Sequence, residues 1–334
     1  MTQTVLLTGV TGFIAKRIAH DLLDAGYVVR GSLRNANRAD EVRAALAGNP
    51  NLDKLSFVEL DLTNDAGWAE AMQGVDAVIH TASPFPMSSP KEENELIEPA
   101  VEGTLRALRA AQAAGVTRVV LTSSMASIMS VDRPTGHKFG PDDWTDVNHP
   151  TASAYVKSKT LAEQAAWDFV EKHPEMQLTA INPGLVVGAP LDRNFGTSLE
   201  LIERMMAGKD PMVPNIGMPI VDIKDVSEFH VKALTTPASI GQRIVAADEF
   251  WMLPRIAETL KTAYPERKIA TRIAPRLMLK IFSLFDPAIK GILPLLGREI
   301  DIDNSATNVI FDRGFIVNKD AILASAAFLE RKAA

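Results

Sequence analysis

Three features of the 334-residue chain predict an α/β fold built on a doubly wound parallel sheet. Short apolar runs alternate six times with amphipathic helical stretches, and a glycine-rich turn joins the first run to the first helix. Beyond residue 183 the alternation gives way to segments rich in Gly, Pro and Met. A Rossmann-type sheet is expected over residues 1–182, completed by a strand near 242–246. A smaller C-terminal cap, residues 183–334, should interleave with it without a clean linker.

Residues 4–8 form a short apolar run suited to a buried strand. It ends in Gly9-Val10-Thr11-Gly12-Phe13-Ile14-Ala15, after which Ile14, Ile18 and Leu22 share one helical stripe up to Gly26. A second strand is expected over 27–33, followed by a polar loop between Arg34 and Arg38. Strand, turn, helix, strand is a βαβ unit, whose parallel strands need a right-handed crossover. A third strand (55–60), a helix (65–72) and a fourth strand (76–79) continue the pattern. Ile97, Val101, Leu105 and Leu108 mark a longer helix. Pro99 lies inside that pattern, so the regular helix is expected to start there or to kink. Gly115 stops it, and a fifth strand leads to Ser124.

Residues 125–150 lack periodicity, and so long a loop in a compact domain is usually functional or mobile. A helix then runs from Tyr155 to about Lys172, and a sixth strand (176–181) ends in Asn182-Pro183-Gly184. Helices are expected in the cap over 198–207, 225–235 and 253–263. The most apolar stretch, 277–296, is interrupted by Lys280, Asp286, Lys290 and two prolines. A membrane-spanning helix needs about 20 nearly uninterrupted apolar residues, so this stretch is not expected to span a membrane; part of it could line a substrate pocket, or it could be a lid or an amphipathic patch facing a partner.

A net charge of −6 disfavours nucleic acid as the main partner. The absence of cysteine excludes disulfides, thiolate metal sites and a cysteine nucleophile, and no metal site is expected. Without a basic leader or a membrane span, the expectation is a cytoplasmic monomer or homodimer that does not engage a membrane.

Gly9-x-x-Gly12-x-x-Ala15 stands between a strand and a helix, the context a dinucleotide fingerprint requires. Gly9 permits the tight turn, Gly12 lets a pyrophosphate approach, and Ala15 permits close helix–strand packing. The phosphates would meet the backbone of Gly9, Thr11, Gly12, Phe13 and Ile14 at the helix N-terminus. At the end of the second strand a carboxylate would bond the ribose hydroxyls of NAD and repel a 2′-phosphate. Arg34 stands there instead, with Arg38 four residues on, and two guanidiniums suit a 2′-phosphate. NADP(H) is therefore preferred, with NAD(H) open. Asp61-Leu62 after the third strand could bond the adenine edge, or Asp61 could serve as a helix cap or turn residue. Thr81, Ala82 and Ser83 follow the fourth strand, where small residues let a cofactor lie close. His80 is expected to be a satisfied core histidine rather than an acid or base.

Tyr155 and Lys159 share one helical face, one turn apart, downstream of a strand closed by Ser123-Ser124. A phenol beside an ammonium is a usable acid near neutral pH, because the cation favours phenolate. With a nicotinamide passing hydride to a carbonyl, Tyr155 would protonate the oxygen and Ser124 would hydrogen-bond it. Lys159 would lower the phenol pKa and hold the ribose. The competing reading is a core tyrosine and a lysine whose stem lies along an apolar surface.

The chain resembles the extended short-chain dehydrogenase/reductases, and within them the dihydroflavonol, cinnamoyl-CoA and aldehyde reductase branch. The segments that carry the resemblance are residues 8–14 (Thr-Gly-Val-Thr-Gly-Phe-Ile), 93–99 (Glu-Asn-Glu-Leu-Ile-Glu-Pro) with Glu102-Gly103, 121–124 (Leu-Thr-Ser-Ser) and 155–167, which opens Tyr-Val-Lys-Ser-Lys. The resemblance implies an NADPH-dependent carbonyl reductase with the nicotinamide against Pro183 and Leu185. Ala15 replaces the usual third glycine, Met129 stands where plant dihydroflavonol reductases carry Asn, and residues 276–299 match weakly. These departures point away from flavonoids toward a broader aldehyde or ketone substrate. Phe85, Met87, Met125, Met129 and Phe195 would line a hydrophobic, aromatic-tolerant pocket, although such residues also build cores. A nucleotide-sugar epimerase or dehydratase shares the Ser, Tyr and Lys set but needs groups for a sugar diphosphate. A hydroxysteroid-type dehydrogenase stays open. A non-catalytic NADP-sensing protein of this fold typically loses the Tyr or Lys, and no Gly-x-Ser-x-Gly elbow suggests a hydrolase.

Overall fold

A computed structural model describes residues 3–84 and 92–331. Strand β1 (Thr4–Thr8) enters helix α1 (Phe13–Asp24), and β2 (Val28–Leu33), α2 (Ala39–Ala45), β3 (Leu55–Glu59), α3 (Trp68–Ala71) and β4 (Ala77–His80) follow. Helix α4 (Asn94–Ala113) leads to β5 (Arg118–Thr122). The stretch expected to be an aperiodic loop holds a short helix, α5 (Ala126–Met129), and a two-residue strand, β6 (Lys138–Phe139). Helix α6 (Ala154–Lys172) and strand β7 (Gln177–Pro183) come next. The remaining chain forms β8 (Leu185–Val187), α7 (Gly196–Met206), β9 (Gly217–Asp222), α8 (Ile223–Ala233), β10 (Arg243–Ala246) and β11 (Glu249–Met252). It closes with α9 (Leu253–Ala263), α10 (Arg276–Phe282), α11 (Pro287–Ile292), β12 (Asp301–Ile302), α12 (Ser305–Phe311) and α13 (Asn318–Arg331). None of the helices among the described residues is long and apolar enough to cross a membrane.

The central sheet has seven strands in the order β10-β7-β5-β4-β1-β2-β3, every pair parallel. Strand order reverses at β1, so the crevice between the carboxyl ends of β1 and β4 is the switch point where such sheets bind ligands. Alternation along β1 builds both faces. Val5 and Leu7 join a core with Ile18, Leu22 and Leu23 of α1 and Phe229 of α8, while Leu6 joins Leu108 of α4, Trp68 of α3 and Ala166 of α6. The late strand expected near 242–246 is β10, which pairs with β7 from Ala180 to Pro183. Pro99 neither starts nor ends α4, which begins at Asn94. Proline removes its own amide donor and crowds the carbonyl four residues back, yet the helix continues through it, with Leu96 buried before it and Ala100 and Ala107 buried after it.

A separate core forms the cap: Val187, Ile202, Ile220, Trp251, Leu253, Ile256, Leu260 and Ile322 pack together around the three-stranded sheet β11-β9-β8. Within 277–296, Ile292, Leu295 and Leu296 pack on that core, whereas Leu284 and Phe285 are 77% and 81% exposed.

Gly184 lets the cap sheet meet the central one. A Cβ there would lie 2.4 Å from the Pro219 carbonyl oxygen and 2.7 Å from its carbon, both backbone atoms. Gly184→Ala should therefore destabilise the protein by about 1–3 kcal/mol. Gly48→Ala, where a Cβ meets nothing within 4 Å, should be near neutral; denaturant unfolding of the two variants checks this.

Two buried histidines should make stability fall in acid. His80 bonds the Thr8 hydroxyl through Nδ1 (2.9 Å), and His230 bonds Thr122 and the Val226 carbonyl (both 2.7 Å). Burial pushes them down to about 3 and about 4, with the Lys159 charge adding to the effect at His80. The unfolded chain takes up protons at ordinary histidine pH while the folded chain does not, so stability is lost as pH falls from about 6.5 toward 4. Each histidine should contribute up to about 1.4 kcal/mol per pH unit, and His230→Gln should flatten the slope of urea midpoint against pH.

Candidate active site

The turn after β1 is shaped for an anion. Gly9 adopts φ +67°, and a Cβ there would sit 3.0 Å from the Ala82 Cα, so the turn lies directly against the end of β4. The Thr8 hydroxyl accepts from the backbone of Thr81 and Ala82 (both 3.1 Å), and Thr81 returns a bond to the Thr8 carbonyl (2.5 Å). Gly12 is the N-cap of α1, without a side-chain cap and with no acid in the first turn. The first amides and the positive end of that helix dipole are thus unneutralised by the protein. Thr11, Phe13 and Ile14 are half-buried around them, Phe13 and Ile14 packing on Val186, Val221 and Ile223, and Ser83 is half-buried past β4. A dinucleotide pyrophosphate fits this cradle.

At the end of β2 the two arginines differ. Arg34 is exposed and makes no side-chain hydrogen bond or ion pair among the described residues, while its charge reaches Asp61. Arg38 is held by Glu41 through two bonds, 2.9 and 3.0 Å. Burial pushes the Glu41 carboxyl up, but bonds from Arg38, Asn194 and Lys16 overcome it and hold it at about 2. Buried Lys16 also bonds Asp192, so this network ties α1 and α2 to the loop after β8. Asp61 accepts from the Thr63 amide (2.8 Å) and hydroxyl (2.7 Å), the arrangement of a turn residue. Leu62 packs on the core beneath, against Gly103.

The carbonyl-facing residues come from three elements. Ser124, just past β5, accepts from the Ala126 amide (3.1 Å) and is hydrogen-bonded to Tyr155. Tyr155 lies in the first turn of α6, whose N-cap Ser153 accepts from the Val156 amide (3.4 Å). Lys159, one turn on, is 9% exposed. Burial pushes its ammonium down to about 8, with the Glu163 carboxylate opposing. Burial likewise raises the Tyr155 phenol, and the Ser124 bond works the other way. The lowered phenol expected from the Lys159 charge is therefore not the state of the protein alone: desolvation of phenolate outweighs the Ser124 bond. Pro183 at the end of β7 accepts from the Met125 amide (2.9 Å), and half-buried Leu185 begins β8.

The apolar pocket residues separate. Met125 is 1% exposed and packs with Ile128, Phe139 and Val245, so it fills a small core rather than facing open space. Met129 is half-buried against the same cluster, and its carbonyl accepts from Arg298 (2.6 Å). Phe195 is buried at the start of α7. Phe85 and Met87 lie outside the described residues. Sequence reasoning passed over Ser123, Ser127, Glu163, Asn182 and Arg243, which form a buried network beside Ser124 and Lys159. Glu163 carried a signal, since it is the third member of the stripe that holds Tyr155 and Lys159. Arg243, eighty positions away, carried none.

Comparison with known proteins gives this geometry a lineage. Residues 5–247 match the model of the NAD dependent epimerase/dehydratase family. The ketoreductase azaE of Aspergillus niger is 35% identical over 298 residues, covering 82% of this chain and 86% of the relative. Cinnamoyl-CoA reductase CAD2 of Medicago truncatula is 30% identical over 277 residues, covering 81% and 84%. Among solved structures, yeast methylglyoxal/isovaleraldehyde reductase Gre2 complexed with NADPH matches with a TM-score of 0.82 at 26% identity, 99% of each chain covered. The fingerprint, the Ser-Tyr-Lys set and these matches make the chain a member of the NAD dependent epimerase/dehydratase family, within the extended short-chain dehydrogenase/reductases.

Proposed function

We propose that this chain is an NADP(H)-dependent reductase that converts an aldehyde or ketone to an alcohol, reversibly, on hydrophobic or aromatic substrates. The observation that carries this reading is the hydrogen-bonded Ser124–Tyr155 pair with Lys159 one turn away, at the same sheet end as the uncapped N-terminus of α1. The relatives' names support it, since they are reductases of ketones, cinnamoyl-CoA and methylglyoxal.

With the pyrophosphate of NADPH at the Gly9–Gly12 turn, the dihydronicotinamide would supply a hydride to the carbonyl carbon. Arg34 would hold the adenosine 2′-phosphate, and Arg38 would join it through the guanidinium N–H groups that its two bonds to Glu41 do not use. Asp61, whose Oδ1 is bonded to Thr63, and Leu62 would flank the adenine, while Thr81, Ala82 and Ser83 would leave room for the cofactor to lie close. Pro183 and Leu185 support the nicotinamide. Ser124 donates to the carbonyl oxygen as charge develops there, and Tyr155 transfers its hydroxyl proton to that oxygen. A buried, raised phenol suits this direction, because it enters the step protonated. Lys159, charged below about pH 8, holds the nicotinamide ribose and stabilises the tyrosinate left behind. Met129 and Phe195 line the apolar side of the pocket.

Tyr155→Phe should lower kcat for NADPH-dependent carbonyl reduction by about 10²–10⁴-fold while NADPH affinity changes little; undiminished turnover would refute the proton donor. Arg34→Ala should weaken NADPH binding by about 10–100-fold, the loss of one charge-assisted bond to phosphate, and leave NADH nearly unchanged. Titration of both cofactors by fluorescence decides this, and equal losses would refute the 2′-phosphate assignment.

A further inference from the structure

The Glu163 carboxylate is fully buried and accepts from five side-chain donors. Its Oε2 accepts from the hydroxyls of Ser123 and Ser127 (2.5 Å for Ser127) and from the Asn182 amide (2.7 Å). Its Oε1 accepts from Arg243 Nε (2.6 Å) and, longer, from Trp167 (3.3 Å). Arg243 is in turn fixed by the carbonyls of Pro141 (2.7 Å) and Asp143 (2.6 Å) and stacks on Trp144, 3.7 Å from the ring centre. Burial would push the Glu163 carboxyl up, but the Arg243 charge and these donors outweigh it and hold it ionised.

The placement of the partners gives this buried charge a role. Ser123 and Ser127 flank Ser124, and Asn182 precedes Pro183 and also bonds the Ser124 carbonyl (3.2 Å). Glu163 itself stands one helical turn beyond Lys159 and two beyond Tyr155. We propose that Glu163, anchored by Arg243, is a positioning residue that sets the place of Ser124 and keeps the Lys159 ammonium charged at working pH. The inference rests on the reading of Ser124, Tyr155 and Lys159 given above.

The groups that bear on Lys159 are few. Tyr155 and Glu163 share its helix, His80 on β4 is neutral near pH 7, and the Arg243 charge on β10 is directed at Glu163. Helix α5 and strand β7, both packed on α6, bring no titratable side chain. Helix α4, also packed on α6, carries Glu95, Glu98, Glu102, Arg106 and Arg109, of which Arg106 pairs with Asp65 and Arg109 with Glu102, while its N-cap Glu93 pairs with Lys157. Among the described residues, Glu163 is the carboxylate whose charge opposes the burial of Lys159.

The test reads Lys159 directly, by NMR titration of lysine side-chain 13Cε signals, with Lys159→Met identifying the resonance. Removing the charge in Glu163→Gln should move the Lys159 midpoint down by about one pH unit. Glu163→Asp, which keeps the charge, should return most of it. The alkaline limb of kcat against pH should shift in the same order. If Glu163→Gln does not fold, Glu163→Gln/Arg243→Met removes both buried charges and should show a smaller downward shift, because loss of the Arg243 cation partly offsets loss of the carboxylate. A midpoint unmoved by loss of the carboxylate overturns the proposal, even where thermal stability falls. Because the titration needs no turnover, a protein inactive on carbonyls would contradict the proposed reaction without touching this result.

Discussion

Everything at the site answers to one cost, the burial of the Lys159 ammonium. An ammonium in an apolar surround loses its hydration and tends to shed its proton, and here burial holds it at about 8. Glu163 opposes that tendency, and Glu163 is itself a buried charge that needs an answer. Arg243 supplies it, and backbone carbonyls and an indole face answer Arg243. Buried ion pairs stabilise little unless their remaining lone pairs and protons are satisfied. This one is satisfied at nearly every atom, and the satisfying groups come from β5, α5, α6, β7, β10 and the loop before α6. The chain of compensation thereby fixes the relative positions of the elements that bear Ser124, Tyr155 and Lys159.

The parallel sheet explains why those elements can meet. Each βα connection leaves the sheet at the same edge, so the turn after β1, the end of β4 and the serines after β5 arrive at one crevice. Close approach there depends on small residues: Gly9 against Ala82 for the cofactor side, and Gly184 against Pro219 for the cap. The Lys16–Asp192 and Asn194–Glu41 bonds give the cap loop a second attachment, beside the arginines at the end of β2. The end of β2 and the loop after β8 thus share a side chain, because Glu41 holds both Arg38 and Asn194.

Much of this was legible in the sequence where the signal is local. Strand β1 and helix α9 have the expected bounds, and β10 was recognisable as an apolar run even outside the alternation. The three-stranded cap sheet and the β6–β12 ladder were not. Strands of two to four residues such as β6, β8, β11 and β12 are too short to show a period, and their partners lie far along the chain. Of the two outcomes expected at Pro99, a helix start there is excluded, because α4 begins at Asn94 and has buried apolar residues on both sides of the proline. At the site, Ser124, Tyr155 and Lys159 were legible as motif residues in the right order. Met125 was not separable from core by composition. The perturbed titrations and the Glu163–Arg243 pair depend on burial, which no sequence pattern states.

The central claim is that the buried α6 site brings the cofactor's C4 hydrogen to a carbonyl carbon. The direct measurement is reduction of an aldehyde or ketone by NADPH carrying deuterium at both C4 positions, with mass spectrometry of the alcohol. The account predicts one deuterium on the carbinol carbon and an alcohol yield that matches the NADPH consumed. An alcohol without deuterium, or NADPH oxidation without alcohol, would contradict it.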